Sequence, residues 1–304
     1  MPYKSHPTPL QANVQAFPPK TASKTAIGVA AQRALHLELD APPHLLQDTL
    51  ASSLVSPTYL AAAKAADSPG AARLRLHCVL RSRYTEDLLA RSQLRRVIVL
   101  GAGLDTLAFR QPPALALESV IEVDQPASQA YKRARLAAAG IALPPNTTLL
   151  PVDFAATTLA AALPLTSTTQ PTFFACLGLL MYLDASAIAQ LLAYVSAHPP
   201  GSMLAFSFMP ALPPLDPALP PALSWPGWEG RGLEAQAAAV GEPMLSKHTP
   251  EGLTALLLGA GFARVHVLQA AEAAALYPQA AALSPSTQQQ QQQHWPASMG
   301  YAVV

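Results

Sequence analysis

Hydrophobic positions along the chain gather in short runs, and the clearest is Arg96-Val97-Ile98-Val99-Leu100. A run of β-branched and aliphatic residues of this length, stopped by glycine, reads as a strand buried on both faces. Comparable runs at 119–124, 147–152, 172–179 and 203–208 predict four more strands, and 264–268 and 300–304 predict two last ones. Pro151 inside the third run places that strand at a sheet edge, where a missing N–H is tolerated. Between the runs the period becomes helical. Ile188, Leu191, Leu192 and Val195 follow the capping residue Asp184 at i, i+3, i+4, i+7 spacing. Pro126 opens a helix that Gly140 ends. Helices are also expected over 25–39, 71–91 and 233–240. A last one opens at Thr249-Pro250-Glu251, buries Leu253, Leu256 and Leu257, and stops at Gly261. Seven strands, the first five separated by helices, predict an α/β fold with a mostly parallel sheet and right-handed crossovers.

The same pattern divides the chain. Prolines at positions 2, 7, 9, 18 and 19 mark residues 1–24 as a flexible tail. Residues 25–304 are expected to form one domain: an N-terminal helical cover (25–95), a nucleotide-binding core (96–208), a Pro-rich cover over the sheet's carboxyl edge (209–247, with Trp225 and Trp228), and a C-terminal part (248–304) interrupted by the low-complexity run from Gln288 to Gln293. The 304 residues, 51% of them hydrophobic, suffice for one large core.

Charge excludes some partners. Lys plus Arg number 19 and Asp plus Glu 18, a balance with no bulk attraction for nucleic acid or an anionic membrane. Arg73, Arg75, Arg81 and Arg83 fall on different helix faces at 100° per residue and predict no basic stripe. One or two of them are expected to meet an anion inside the fold. The two cysteines, Cys78 and Cys176, suit reduced, buried thiols in an intracellular protein. The longest apolar run, 173–183, falls short of the roughly 20 residues a membrane span needs. No secretory h-region opens the chain. A cytoplasmic location is expected, with organelle targeting by the tail, which carries Lys4, Lys20 and Lys24, left open.

Candidate chemistry lies at the end of the first strand. Gly101 permits a sharp turn, and Gly103 lets backbone approach a ligand with no Cβ in the way. Asp124, ending the second strand about twenty residues on, has the spacing at which a carboxylate meets ribose hydroxyls. A nicotinamide enzyme and an S-adenosylmethionine enzyme both satisfy these features. Two observations favour the second. Thr106 stands where the third glycine of a dinucleotide fingerprint belongs, which weakens pyrophosphate binding at the helix N-terminus. Asp153, ending the third strand, suits an adenine amino group, because a carboxylate only accepts hydrogen bonds. No His, Cys, Asp and Glu grouping has metal-ligand spacing, and no Ser, His and Asp order supports a hydrolytic triad.

Further motifs are Thr25-Ala26-Ile27-Gly28-Val29-Ala30-Ala31-Gln32-Arg33, Arg81-Ser82-Arg83-Tyr84, Gly101-Ala102-Gly103-Leu104-Asp105-Thr106 with Arg110, Glu122-Val123-Asp124-Gln125-Pro126 and Pro151-Val152-Asp153-Phe154. Residues 178–183 and Gly241-Glu242-Pro243 continue them. In this order they resemble the leucine carboxyl methyltransferase family, closer to its bacterial-type S-adenosyl-L-methionine-dependent methyltransferases than to the protein-phosphatase enzyme. The resemblance runs from about residue 25 to 268 and implies a class I methyltransferase Rossmann-like fold with helices on both sheet faces. It implies S-adenosyl-L-methionine as cofactor. Gly101 and Gly103 would face its methionine part, Asp124 its ribose, and Asp153 with the Phe154 backbone its adenine. Arg83 would hold its carboxylate in fork geometry. Asp105 and Arg110 would line the pocket or pair with each other, the second being favoured. Leu177 departs from the glutamate of several family members and removes one polar contact to the cofactor edge.

The expected activity is O-methylation of a small-molecule carboxylate or hydroxyl. Carboxyl methylation of a protein C-terminus is the alternative within the class. A nicotinamide oxidoreductase and a non-catalytic cofactor-binding protein are the alternatives outside it. A carboxylate acceptor needs no base, and no catalytic residue is assigned. His248 and Tyr182 are the candidates near the expected mouth, with packing the favoured role for both.

Overall fold

The computed structural model describes residues 22–111, 113–154, 156–164, 170–211, 230–282 and 298–304. Most of the tail, Trp225, Trp228 and the glutamine run lie outside them. Four helices come first: α1 (Lys24–Leu39), α2 (Ala51–Leu54), α3 (Pro57–Ala65) and α4 (Pro69–Ser92). The core follows as β1 (Arg96–Leu100), α5 (Leu107–Arg110), β2 (Ser119–Asp124), α6 (Pro126–Ala138), β3 (Thr147–Pro151), α7 (Leu159–Ala162), β4 (Phe173–Cys176), α8 (Ala185–Ser196) and β5 (Met203–Ser207). Then come α9 (Gly230–Ala239), α10 (Pro250–Gly259), β6 (Arg264–Val267), α11 (Ala270–Leu276), α12 (Pro278–Ala282) and β7 (Met299–Val303).

The strands form one sheet in the order β3-β2-β1-β4-β5-β7-β6. β1 to β5 pair in parallel, and β7 runs antiparallel between β5 and β6. Chain order reverses at β1, whose neighbours are β2 and β4. A crevice opens outside the carboxyl ends of the strands at such a switch point. β3 and β6 are the two edge strands, and Pro151 lies on the first of them.

Alternation along β1 divides the core into two layers. Ile98 and Leu100 join Phe174, Cys176, Leu204 and Phe206 on one face, packed by Ile188, Leu191, Leu192 and Val195 of α8 and Leu253 and Leu257 of α10. Val97 and Val99 face the other way with Phe173, Ala175 and Ala205, against Leu76, Val79, Leu80, Leu88 and Leu89 of α4. A third cluster binds α1 to α2 and to Leu136 of α6. Helix starts follow the local chemistry. Ser23, Ser68, Asp184 and Thr249 each cap a helix by accepting the backbone N–H three residues on. The short helices α2, α3, α7, α11 and α12 were not anticipated, because four to nine residues show too few turns for a period to emerge. The helix opening at Thr249 is therefore not the last, and the fourth strand ends at Cys176, earlier than its apolar run.

Candidate functional site

The loop after β1 is shaped by its glycines. Gly101 (φ +65°) and Gly103 (φ +49°) both hold left-handed backbone. A Cβ on Gly101 would stand 2.9 Å from Leu179 Cβ, and one on Gly103 would stand 2.9 Å from Ala26 Cβ. Neither position has room for a side chain. The loop is tied to β2: Ala102 N donates to the Val123 carbonyl at 3.0 Å, and Gly103 N donates to Asp124 Oδ2 at 2.5 Å. Asp124 Oδ1 accepts from Gln125 N at 2.6 Å. Burial raises the Asp124 carboxyl above the usual range, against the opposing pull of these two amides and of Lys132. The Ser128 hydroxyl is a third donor to this carboxylate, which leaves one of its about four lone-pair sites for a ligand hydroxyl.

Above this loop opens a cavity of about 1050 Å³, bounded by α1, α4, the carboxyl ends of β1, β2 and β4, and residues 233–245. Gly101, Gly103, Asp124, Asp153 and Phe154 all line it, as do Leu177, Asp105 and Tyr182. Arg83 does not. Its side chain is 46% exposed and pairs with Asp87 one turn on at 2.8 Å. Arg81 faces the cavity instead. It is 8% exposed, and its guanidinium lies 3.0 Å from where a Cβ on Gly178 would stand. Two residues turn a helix by about 200°, so only one of this pair reaches the interior. Among the described residues no carboxylate lies within ion-pair distance of Arg81, whereas the buried Arg33 and Arg75 and the half-buried Arg110 are all paired. The expectation that Arg73 and Arg81 lie on different faces also needs correction: eight residues separate them by only about 80°, and both line the cavity.

Asp105 and Arg110 do not pair with each other. Asp105 Oδ1 accepts from Leu107 N at 2.6 Å and starts the short helix α5. Arg110 bridges Glu86 (2.6 Å) and Asp48 (3.3 Å) and donates to the Thr106 hydroxyl at 2.7 Å. Asp48 also accepts from Arg33 Nε (2.8 Å), Thr106 Oγ1 (2.7 Å) and Ala51 N (3.1 Å). The Thr106 hydroxyl thus fills the place of a third fingerprint glycine and locks the loop to the N-terminal helices. Beneath it, the fully buried Lys132 binds the Glu122 carboxylate and the Asp105 carbonyl. Sequence reasoning did not single out Asp48, Glu86 or Lys132, and it named Arg81 only within a motif whose cofactor contact it gave to Arg83. The ion pairs of Asp48, Glu86 and Lys132 join elements that only the packed fold brings together, and no local pattern signals them.

The base candidates separate. Tyr182 lines the cavity, with its hydroxyl pushed up by burial. His248 lies outside the cavity lining, and its buried Nε2 has no hydrogen-bond partner among the described residues. His77, on the cavity face of α4, is pushed down to about 3 by burial and the charge of Arg81. Among the described residues no group of three His, Cys, Asp or Glu side chains could hold a metal, and no helix is long and apolar enough to cross a membrane.

A seven-stranded sheet with a glycine loop at its switch point and a carboxylate ending the next strand defines the methyltransferase type of α/β fold. Two solved structures share it: a DUF574 family protein from Streptomyces avermitilis (TM-score 0.55, 15% identity, covering 93% of this chain and 97% of that one) and a protein described as a "putative methyltransferase" from Thermobifida fusca (TM-score 0.54, 16% identity, 93% and 95%). The family model for leucine carboxyl methyltransferase matches residues 26–196, and the chain belongs to that family. Among its relatives are the "Putative S-adenosyl-L-methionine-dependent methyltransferase YktD" of Bacillus subtilis, 32% identical over 188 residues, and a protein described in the same words from Mycolicibacterium vanbaalenii, 34% identical over 212 residues. The matches take in 60% and 62% of this chain, and the chain spans 59% and 67% of those proteins' lengths.

Proposed function

We propose that the chain is an S-adenosyl-L-methionine-dependent methyltransferase acting on an oxygen of a small-molecule acceptor. The observation that carries this reading is the pairing of Arg81 with Asp124 across one cavity. Among the described residues Arg81 is a buried cation without a carboxylate partner, and Asp124 is a half-buried acceptor tied to the glycine loop. The two match the opposite ends of an amino-acid nucleoside: a carboxylate at one and vicinal hydroxyls at the other. Family membership supports the same reading. When bound, S-adenosyl-L-methionine would supply a methyl on sulfonium: an oxygen lone pair forms the new bond to the methyl carbon as the carbon–sulfur bond breaks, and sulfur leaves with the bonding pair as the neutral thioether.

The chain's own residues bind and align. Arg81 receives the amino-acid carboxylate, Asp124 the ribose, and Asp153 with the Phe154 backbone the adenine. Gly101 and Gly103 admit the chain of atoms between them. Alignment of this kind is worth of order 7–11 kcal/mol in favourable models. Neither Tyr182, held protonated, nor His77, with its pKa near 3, is a base matched to neutral pH. That supports an acceptor oxygen that arrives ionised, and Arg73, on the same cavity wall, is a cation that could face it. Carboxyl methylation of a protein C-terminus uses the same chemistry, and the family model's description favours it as the second reading. Thr106, engaged with Asp48 and Arg110, argues against a pyrophosphate-binding nicotinamide site.

The test is methyl transfer from labelled S-adenosyl-L-methionine to a panel of aryl carboxylic acids, phenols and a peptide ending in leucine, read by mass spectrometry. A product on a small acid or phenol, absent with Asp124→Ala, is expected. Transfer to the peptide alone would favour the second reading, and binding without transfer to any acceptor would favour a non-catalytic protein.

A further inference from the structure

The N-terminus of α1 is capped from across the cavity. An α-helix leaves its first four N–H groups without intrahelical acceptors. In α1 the outer two of the four are satisfied nearby: Ser23 N donates to Ser128 Oγ at 3.2 Å, and Ala26 N donates to Ser23 Oγ at 3.0 Å. The middle two reach a carboxylate more than two hundred residues away. Lys24 N donates to Glu242 Oε1 at 2.7 Å and Thr25 N to Glu242 Oε2 at 3.3 Å. The hydroxyls of Ser23 (3.0 Å) and Thr25 donate to the same carboxylate. The first turn of α1 holds no acidic residue of its own. The negative charge that favours a helix N-terminus arrives from the opposite rim.

Glu242 is fixed where it stands. α9 ends with Gly241 N donating to the Ala238 carbonyl (3.0 Å) and Glu242 N donating to the Ala237 carbonyl (2.9 Å), the paired bonds of a Schellman end. A few residues on, Leu245 N and Ser246 N donate to the Met181 carbonyl at 2.7 and 3.2 Å, and the Ser246 hydroxyl donates to that of Leu180 at 2.8 Å. Tyr182, next in line, is hydrogen-bonded to the Thr25 hydroxyl. The strap 240–246 is therefore anchored at both ends, and its one charged side chain reaches the helix opposite. Ser23, Thr25, Tyr182 and Glu242 all line the cavity. The next residue of α1, Ala26, is the one that lies against Gly103.

We propose that Glu242 is a positioning residue whose carboxylate clamps the first turn of α1 to the strap, closing the cavity rim and pressing Ala26 onto the glycine loop. Cofactor exchange then requires the clamp to open. The ligand in this proposal rests on the cofactor reading above.

The test uses the full chain, with Glu242→Gln, Thr25→Val and the double variant. Hydrogen exchange without ligand is read first. Glu242→Gln is expected to speed exchange at the amides of 24–26 and 244–246 at least tenfold and to leave β1 unchanged. Release of S-adenosylhomocysteine, followed by stopped flow, is expected to be at least tenfold faster, with KM for S-adenosyl-L-methionine rising more than kcat changes. The two single variants combine less than additively, because they cut the same clamp. Unchanged exchange at both segments would overturn the proposal. So would exchange raised equally in β1, the mark of a merely structural residue. If Glu242→Gln does not fold, Thr25→Val carries the same comparison. A wild-type protein that binds no S-adenosylhomocysteine would overturn the cofactor reading, while the exchange data still decide the clamp.

Discussion

Replacing Arg81 by leucine removes the buried cation that faces the cavity and leaves a shorter, apolar side chain on the same face of α4. A hydrogen bond to a charged partner contributes about 1.5–3 kcal/mol net. At about 1.4 kcal/mol per tenfold change, binding of S-adenosylhomocysteine should weaken by about 10- to 150-fold. Arg83→Leu is the matched control. Its exposed pair with Asp87 is of a type worth about 0.3–0.5 kcal/mol, and binding should be unchanged. The assay is calorimetric titration with S-adenosylhomocysteine and, in parallel, with methylthioadenosine, which keeps adenine and ribose and lacks the amino-acid carboxylate. Arg81→Leu should bind methylthioadenosine as the wild type does, because the lost contact is to a group that ligand lacks. Two results refute the reasoning: equal weakening toward both ligands, or a larger loss in Arg83→Leu than in Arg81→Leu.

Two further expectations concern the scaffold of the loop. Burial works against the Asp48 carboxylate, but Arg33, Arg110 and the Thr106 hydroxyl outweigh it and hold its pKa below the usual value of about 3.9. Its stabilisation is therefore complete above that value and is lost as pH falls through the folded-state pKa; Asp48→Asn should cost about 3–5 kcal/mol in denaturant unfolding at pH 7, and the gap to the wild type should narrow below about pH 3.9. A gap independent of pH would show that the ion pairs are not its source. Gly103→Ala should lose about 1–2 kcal/mol from the left-handed backbone alone and should also weaken S-adenosylhomocysteine binding, since the new methyl displaces Ala26; thermal unfolding and the same titration check both, and an unaltered Tm would contradict the packing described.

The sheet was legible because each strand is a short apolar run closed by turn residues, and because Pro151 marks an edge. The glycine loop and the acids at the ends of β2 and β3 were legible for a related reason: a parallel α/β sheet brings successive strand ends to one crevice. What escaped the sequence depends on helix phase and on distant partners. The motif Arg81-Ser82-Arg83-Tyr84 offers two arginines, and only the seating of α4 on the sheet selects the one that turns inward. Arg110 and Asp105 are neighbours in the chain, yet Glu86 and Asp48 sit closer to the guanidinium once α4 and the loop before α2 have packed. Glu242 was visible only as part of the motif Gly241-Glu242-Pro243, and its role was not legible, because the helix it caps lies at the other end of the chain.

The central claim, that Asp124 and the glycine loop serve an S-adenosylmethionine site, is tested most directly by titrating the purified chain with S-adenosyl-L-methionine, S-adenosylhomocysteine and NAD in parallel, with Asp124→Ala beside it. Micromolar binding of the first two, lost in the variant and absent for NAD, is the predicted result. No binding of either sulfur ligand, or a preference for NAD, would contradict it.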